Sequence, residues 1–71
     1  MLKLSARNQF PGIVTAIRKG VTTTHVAIEV APGMVVTAAI TNDSAEELGL
    51  AVGGKAVAVI KASDVMVGTE G

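Results

Sequence analysis

An all-β fold, a small OB-like five-stranded barrel with one short helical turn, is predicted by three features of this sequence. Runs rich in Val, Ile and Thr alternate with period two, which suits half-buried strands. Pro and Gly interrupt the chain at short intervals, at Pro11-Gly12, Gly20, Pro32-Gly33, Gly49 and Gly53-Gly54, and such residues mark turns. One segment between late strands breaks the period, and short strands with a small helix late in the order point to a small closed barrel.

The elements follow in order. The polar start reads as a strand over 3–9, and Pro11-Gly12 separates it from a second strand over 12–19. Val26, Ile28 and Val30 alternate with Ala27, Glu29 and Ala31, giving a strand over 24–31. Met34, Val36, Ala38 and Ile40 alternate with Val35, Thr37, Ala39 and Thr41, giving another over 34–41. Ser44-Ala45-Glu46-Glu47-Leu48-Gly49 reads as a single helical turn. Ser44 is placed to cap it, Glu47 stands three residues on as a capping box requires, and Gly49 is suited to a left-handed end. Val57 and Val59 among Ala56, Ala58 and Ile60 give a strand over 55–61, and a short sixth is expected over 64–67.

With 71 residues the chain forms one domain at most, read here as spanning 1–71. Domains this small are marginal alone and draw on disulfides, metals or oligomerisation. There is no Cys and one His, so disulfides and a Cys/His zinc site are excluded, and oligomerisation remains. The 49% hydrophobic content is mostly Val, Ala and Ile, side chains that each gain little by burial inside one small core. A large share of that apolar surface is expected to face other subunits.

Six basic and six acidic residues cancel, so the basic field that nonspecific nucleic-acid binding needs is missing. Phe10 is the one aromatic residue, too few for the stacking platforms of single-strand binders. The apolar run over 56–60 is far too short to span a bilayer. Residues 1–4 contain a Lys and polar residues follow at once, unlike a secretory leader. With no Cys, this gives the expectation of a cytoplasmic protein, and Met1 reads as the start of a free-standing chain.

Three segments carry candidate chemistry. Ser5-Ala6-Arg7-Asn8-Gln9 is a dense donor set whose guanidinium fork suits a tetrahedral oxyanion; taken alone, it equally describes a polar strand. Thr41-Asn42-Asp43-Ser44 offers two hydroxyls, although plain capping explains Ser44 as well. Lys61-Ala62-Ser63 offers a point charge, a hydroxyl and backbone N–H groups, although a Lys ending a strand is often simply solvated. Residues 49–55 satisfy the spacing G-x-x-x-x-G-K, but Ala56 stands where a P-loop needs Ser or Thr, and a strand follows where it needs a helix. That segment is a turn entering the last long strand. His25 is a solvent-facing strand residue with no partners for nucleophilic catalysis, and no pair of carboxylates is spaced for acid–base work. No enzymatic activity is expected.

Taken together, these segments resemble the molbindins, the free-standing members of the molybdate-binding Mop domain family. The carriers are Ser5-Ala6-Arg7-Asn8-Gln9 followed by Pro11-Gly12, then Ala39-Ile40-Thr41, Ser44, Leu48-Gly49-Leu50 and Lys61-Ala62-Ser63-Asp64-Val65. The resemblance covers nearly the whole chain. It implies an OB-like barrel with strands exchanged between subunits, assembled as a homohexamer built from dimers. It implies an oxyanion pocket at a subunit interface formed by Ser5, Arg7, Thr41, Ser44, Lys61 and Ser63, with backbone N–H groups around Ala6 and Ala62. Exchange would set Arg7 of one subunit beside Lys61 of its partner. A second class of pocket, near a symmetry axis, is implied around Arg18, Lys19, Gly20, Val21 and Thr22. The ligand implied is molybdate or tungstate, with no further cofactor and no direct cation site. The function implied is storage of molybdate, with a regulatory oxyanion-sensing module as the alternative and an OB-type nucleic-acid-binding domain behind it. Molybdate is a dianion, so Arg7 and Lys61 would balance its charge while hydroxyls and N–H groups fill its lone pairs, and Asp43 and Asp64 must point away.

Overall fold

A computed structural model describes residues 3–71; Met1 and Leu2, part of the segment read as unlike a leader, lie outside the described residues. Four strands form: β1 (Asn8–Lys19), β2 (Thr23–Ala31), β3 (Met34–Thr41) and β4 (Lys55–Ile60), with a helix α1 (Asn42–Leu48) between the last two. The sheet order is β3-β2-β1-β4, antiparallel at every pairing. The all-β fold is as expected, but the strand count is four rather than five. β3 and β4 are the two edges and do not pair with each other, so the chain by itself is a half-barrel with an open side.

The two strands expected over 3–9 and 12–19 are one continuous strand. Pro11 pairs with Val57 of β4, while the pairing of β1 with β2 begins at Ile13. A residue with a neighbour on one side can turn its missing donor to the open side, so Pro11 does not end the strand. Gly12 is where β1 crosses onto β2. A Cβ there would lie 2.4 Å from the carbonyl oxygen of Glu29 and 2.9 Å from Cγ2 of Ile28, so this glycine makes a close approach rather than a turn. The register then shifts between Val14 and Ala16; such a bulge sharpens the bend and twist of a strand and curls β1 around the core.

The helix also departs from expectation. It begins two residues before Ser44, and Thr41 is the N-cap, its side chain accepting from the backbone N–H of Ser44. Thr41 is preferred because it ends β3 in extended conformation with φ −67° and ψ 153°, the backbone an N-cap needs. Gly49 closes the helix in the left-handed region at φ 64°, its N–H directed to the carbonyls of Ala45 and Glu46, as its position predicts. After β4 the chain makes a short 3-10 turn at Ala62–Asp64, closed by the Val65 N–H donating to the Ala62 carbonyl, and 65–71 join no strand ladder among the described residues. The short sixth strand over 64–67 is therefore absent: after the turn the segment does not join either free edge of the sheet.

The inner face of the sheet holds the core. Val14, Val26, Ile28 and Ala58 are buried, and Ile17, Val30, Val36, Ile40, Leu50 and Ala56 pack around them half-buried. Beside them lies an apolar trough of about 610 Å³, open to solvent, whose walls include Val36, Ile40, Leu48 and Leu50. The accessible surface is 5603 Å². A compact monomer of 7.1 kDa would expose about 4,100 Å² by the usual size scaling. The excess, on the order of 1,500 Å², is the size of one partner's share in a permanent subunit interface. None of the helices is long and apolar enough to cross a membrane among the described residues.

Candidate functional site

The pairing of β1 with β4 decides where the first and third donor segments go. Asn8 is opposite Ile60 in the ladder, and the Asn8 side-chain amide donates to the Ile60 carbonyl at 3.2 Å. Arg7 and Lys61 are therefore one step beyond the same rung, on neighbouring strand ends that run about 5 Å apart. Ser5, Ala6 and Arg7 lead into that rung, and Lys61, Ala62 and Ser63 lead out of it. All but half-buried Ala6 are exposed. Two cationic side chains, two hydroxyls and free backbone donors thus share one end of the sheet within a single chain. Within one chain, Arg7 and Lys61 thus flank a single rung of the ladder.

Asn8 and Gln9 are committed to this scaffold rather than to a ligand. Gln9 Nε2 donates to the Ala6 carbonyl at 3.4 Å, holding the donor segment against the strand, while Gln9 Oε1 is buried without a partner. A buried acceptor in that state costs about 1–3 kcal/mol until a donor reaches it.

Thr41 and Ser44 sit together at the far end of the molecule. Thr41 Oγ1 accepts from the Ser44 N–H at 3.1 Å and donates to Ser44 Oγ at 2.8 Å. Thr41 caps, Ser44 Oγ receives the Thr41 proton, and the Ser44 hydroxyl proton is left to donate outward. Asp43 and Asp64, whose charges would repel an oxyanion, are both exposed.

The distance between the two clusters follows from topology. Arg7 adjoins the first residue of β1, Asn8. Thr41 pairs with Thr23 of β2, beside the hairpin that joins β2 to the last residue of β1, Lys19. A twelve-residue strand separates them, roughly 30 Å even with the bulge, at about 3.3 Å per residue. One chain therefore carries two donor clusters, one at each end of β1.

The hairpin set Arg18, Lys19, Gly20, Val21 and Thr22 is split rather than gathered. Lys19 Nζ pairs with Glu46 at 3.6 Å, both side chains well exposed. The Gly20 and Val21 carbonyls both accept from Asn42 Nδ2 at 3.1 Å, and the Thr22 carbonyl accepts from the Asn42 N–H at 3.0 Å. Arg18 projects to the opposite face, where it pairs with His25. Asn42 is the residue that sequence reading missed. Besides gripping the hairpin, its Oδ1 accepts from buried Thr24 at 2.6 Å. Its signal was an Asn directly after the last β3 residue.

The loop over 49–55 offers no phosphate cradle. The Gly53 N–H donates to the Val14 carbonyl at 2.8 Å and the Gly54 N–H to Ala51 at 2.9 Å, and β4 follows directly. His25 is exposed on β2, as read.

A half-barrel with donor-rich ends and an open apolar trough defines a class of small β module. The sequence model of the TOBE domain family matches residues 4–67, and the chain belongs to that family. It is 47% identical over 66 residues to molybdenum-pterin-binding protein 1 of Clostridium pasteurianum, covering 93% of this chain and 97% of the relative. Its fold superposes on MopII of the same organism with a TM-score of 0.88 at 45% identity, over 94% of this chain and 100% of MopII. It also superposes on the cytoplasmic molybdate-binding protein ModG, solved with molybdate bound, with a TM-score of 0.87 at 40% identity, over 92% of this chain and 46% of ModG.

Proposed function

We propose that this chain binds and stores molybdate, and tungstate with it, for molybdenum homeostasis in the cytoplasm, as a homo-oligomer and without catalysing a reaction. The observation that carries this is the placement of Arg7 beside Lys61 at the open end of β1 and β4, in a chain 45% identical to MopII. Two positive charges balance a dianion, and the guanidinium fork matches two of its oxygens. Ser5, Ser63 and the N–H groups around Ala6 and Ala62 supply the remaining donors on that side.

Thr41 and Ser44 complete the pocket when a second copy brings its helix end against this one. A pocket using both clusters must span two chains, since roughly 30 Å separates them in one. The excess surface and the open trough support the same assembly, and strand exchange into that trough is the natural way to cover it. A hexamer built from dimers is the assembly proposed. The hairpin pocket at Arg18, Lys19, Gly20, Val21 and Thr22 is retained as a second class, formed by N–H groups and Lys19 near a symmetry axis. No nucleic-acid or membrane partner is proposed, given zero net charge and a single aromatic residue.

Calorimetric titration with molybdate, tungstate, sulfate and phosphate tests the reading. Molybdate and tungstate bind tightly and comparably, and sulfate and phosphate bind much more weakly. Phosphate binding equal to or tighter than molybdate would overturn it.

A further inference from the structure

The outer face of the sheet, away from the trough and α1, brings together groups that the proposed pocket does not use. Arg18 on β1 is directly opposite His25 on β2, and side chains so placed have Cβ atoms about 4.5–5.5 Å apart. The next rung on the same face pairs Ala16 with Ala27, and Ala27 in turn with Thr37 of β3. Two alanines leave the middle of this face low. The result is a depression of about 310 Å³ lined by Ala16, Arg18, His25, Ala27 and Thr37.

We propose that this depression is an anion site, in which Arg18, His25 and Thr37 hold a phosphate-sized tetrahedral oxyanion over a floor of Ala16 and Ala27. Three donors of different geometry converge there: a guanidinium fork, an imidazole N–H and a hydroxyl. The charge pattern needs an anion. Like charges directly opposite in a ladder repel, and Arg18 meets a second cation whenever His25 is protonated. An oxyanion between them turns that repulsion into two charge-assisted hydrogen bonds.

No carboxylate of the chain does this job. Facing His25 from β1 is Arg18, and facing it from β3 is Ala39, with Thr37 on the diagonal. Along β2 its neighbours on the face are Thr23 and Ala27. The next charged group is Glu29, about 13 Å along the strand at 3.3 Å per residue, where one of its oxygens accepts from the Gly33 N–H at 3.4 Å. Lys19 is directed to the other face and paired with Glu46, the ion pair found among the described residues. The site shares no residue with the Arg7–Lys61 pocket and of the hairpin set uses Arg18 alone.

His25 is the chain's single histidine, so its ring signals in a carbon–proton NMR spectrum belong to it without ambiguity. Inorganic phosphate is titrated into the intact protein at pH 6 and pH 8, with ionic strength held constant by chloride. The expected result is a saturable displacement of the His25 ring and Thr37 amide signals. The saturable displacement is expected at both pH values. Arg18→Gln removes the saturation, Arg18→Lys restores part of it, and Thr37→Val weakens binding about threefold. Arg7→Ala leaves the His25 response in place, so failure of the molybdate reading and failure of this one are separable. A response that is linear rather than saturable, that persists in Arg18→Gln, or that vanishes with Arg7→Ala would overturn the proposal.

Discussion

Arg7 shows how little of its role depends on its own surroundings in the isolated chain. It is exposed and stands just outside β1, so neither burial nor a helix fixes it; the Asn8–Ile60 rung and the Gln9 bond to Ala6 hold the backbone on either side. Its replacement should leave the fold intact and act on binding. A hydrogen bond to a charged group contributes about 1.5–3 kcal/mol, so Arg7→Ala should weaken molybdate binding about tenfold or more. Arg7→Lys should recover part of the loss, keeping the charge without the fork. Unchanged calorimetric affinity in Arg7→Ala, with the oligomer intact, would remove Arg7 from the pocket. At this scale the sequence was a good guide to donor type and a poor one to commitment. Ser5, Arg7, Lys61 and Ser63 make no side-chain hydrogen bond or ion pair among the described residues, whereas Asn8 and Gln9, from the same string, spend their amides on the scaffold. Side-chain chemistry is written in the residue, but its partner is set by strand register.

Asn42 links three elements, and its removal should be felt by all of them. Its side chain accepts from buried Thr24 on β2 and donates to the Gly20 and Val21 carbonyls between β1 and β2, while its backbone opens α1. Asn42→Ala leaves the Thr24 hydroxyl, 2% exposed, without an acceptor. The expected loss is about 1–3 kcal/mol, read as a lower urea midpoint with an unchanged slope; a midpoint equal to the parent would show that water replaces the amide. Period-two patterning placed β2, β3 and β4 within a residue of their observed ends, because each buries one face and the alternation is clean. It failed at β1, where the meaning of Pro11-Gly12 depends on which neighbours flank the strand, something local sequence does not contain. It failed again at 64–67, where a strand-like run joins neither free edge of the sheet, and at the helix start, where the extended backbone at the end of β3 favours Thr41 over Ser44 as cap.

On the scale of the whole molecule, the half-barrel and the two separated donor clusters support the proposal that a single chain is half of a functional unit. Light scattering at micromolar concentration should show a hexamer, or at least a dimer, and a stable monomer would remove the basis for a shared pocket. If each pocket takes Arg7 and Lys61 from one chain and Thr41 and Ser44 from another, lesions at opposite ends of β1 should complement each other. Arg7→Ala supplies the first lesion. Ser44→Glu supplies the second, setting a carboxylate against the dianion while suiting the third helical position after Thr41 as cap. Each variant alone should bind molybdate poorly. Unfolded and refolded together, a mixed dimer contains one pocket with both lesions and one pocket with neither. Random pairing makes half the dimers mixed, so about a quarter of the tight sites should return at a symmetric interface. Arg7→Ala mixed with Lys61→Ala should restore none, because both residues flank one rung of the same chain. Equilibrium dialysis showing no recovery in the first mixture, with mixing confirmed by native mass spectrometry, would rule out a pocket divided along β1. Recovery in the second mixture would instead place Arg7 and Lys61 of different chains together and require exchange of the β4 end between subunits.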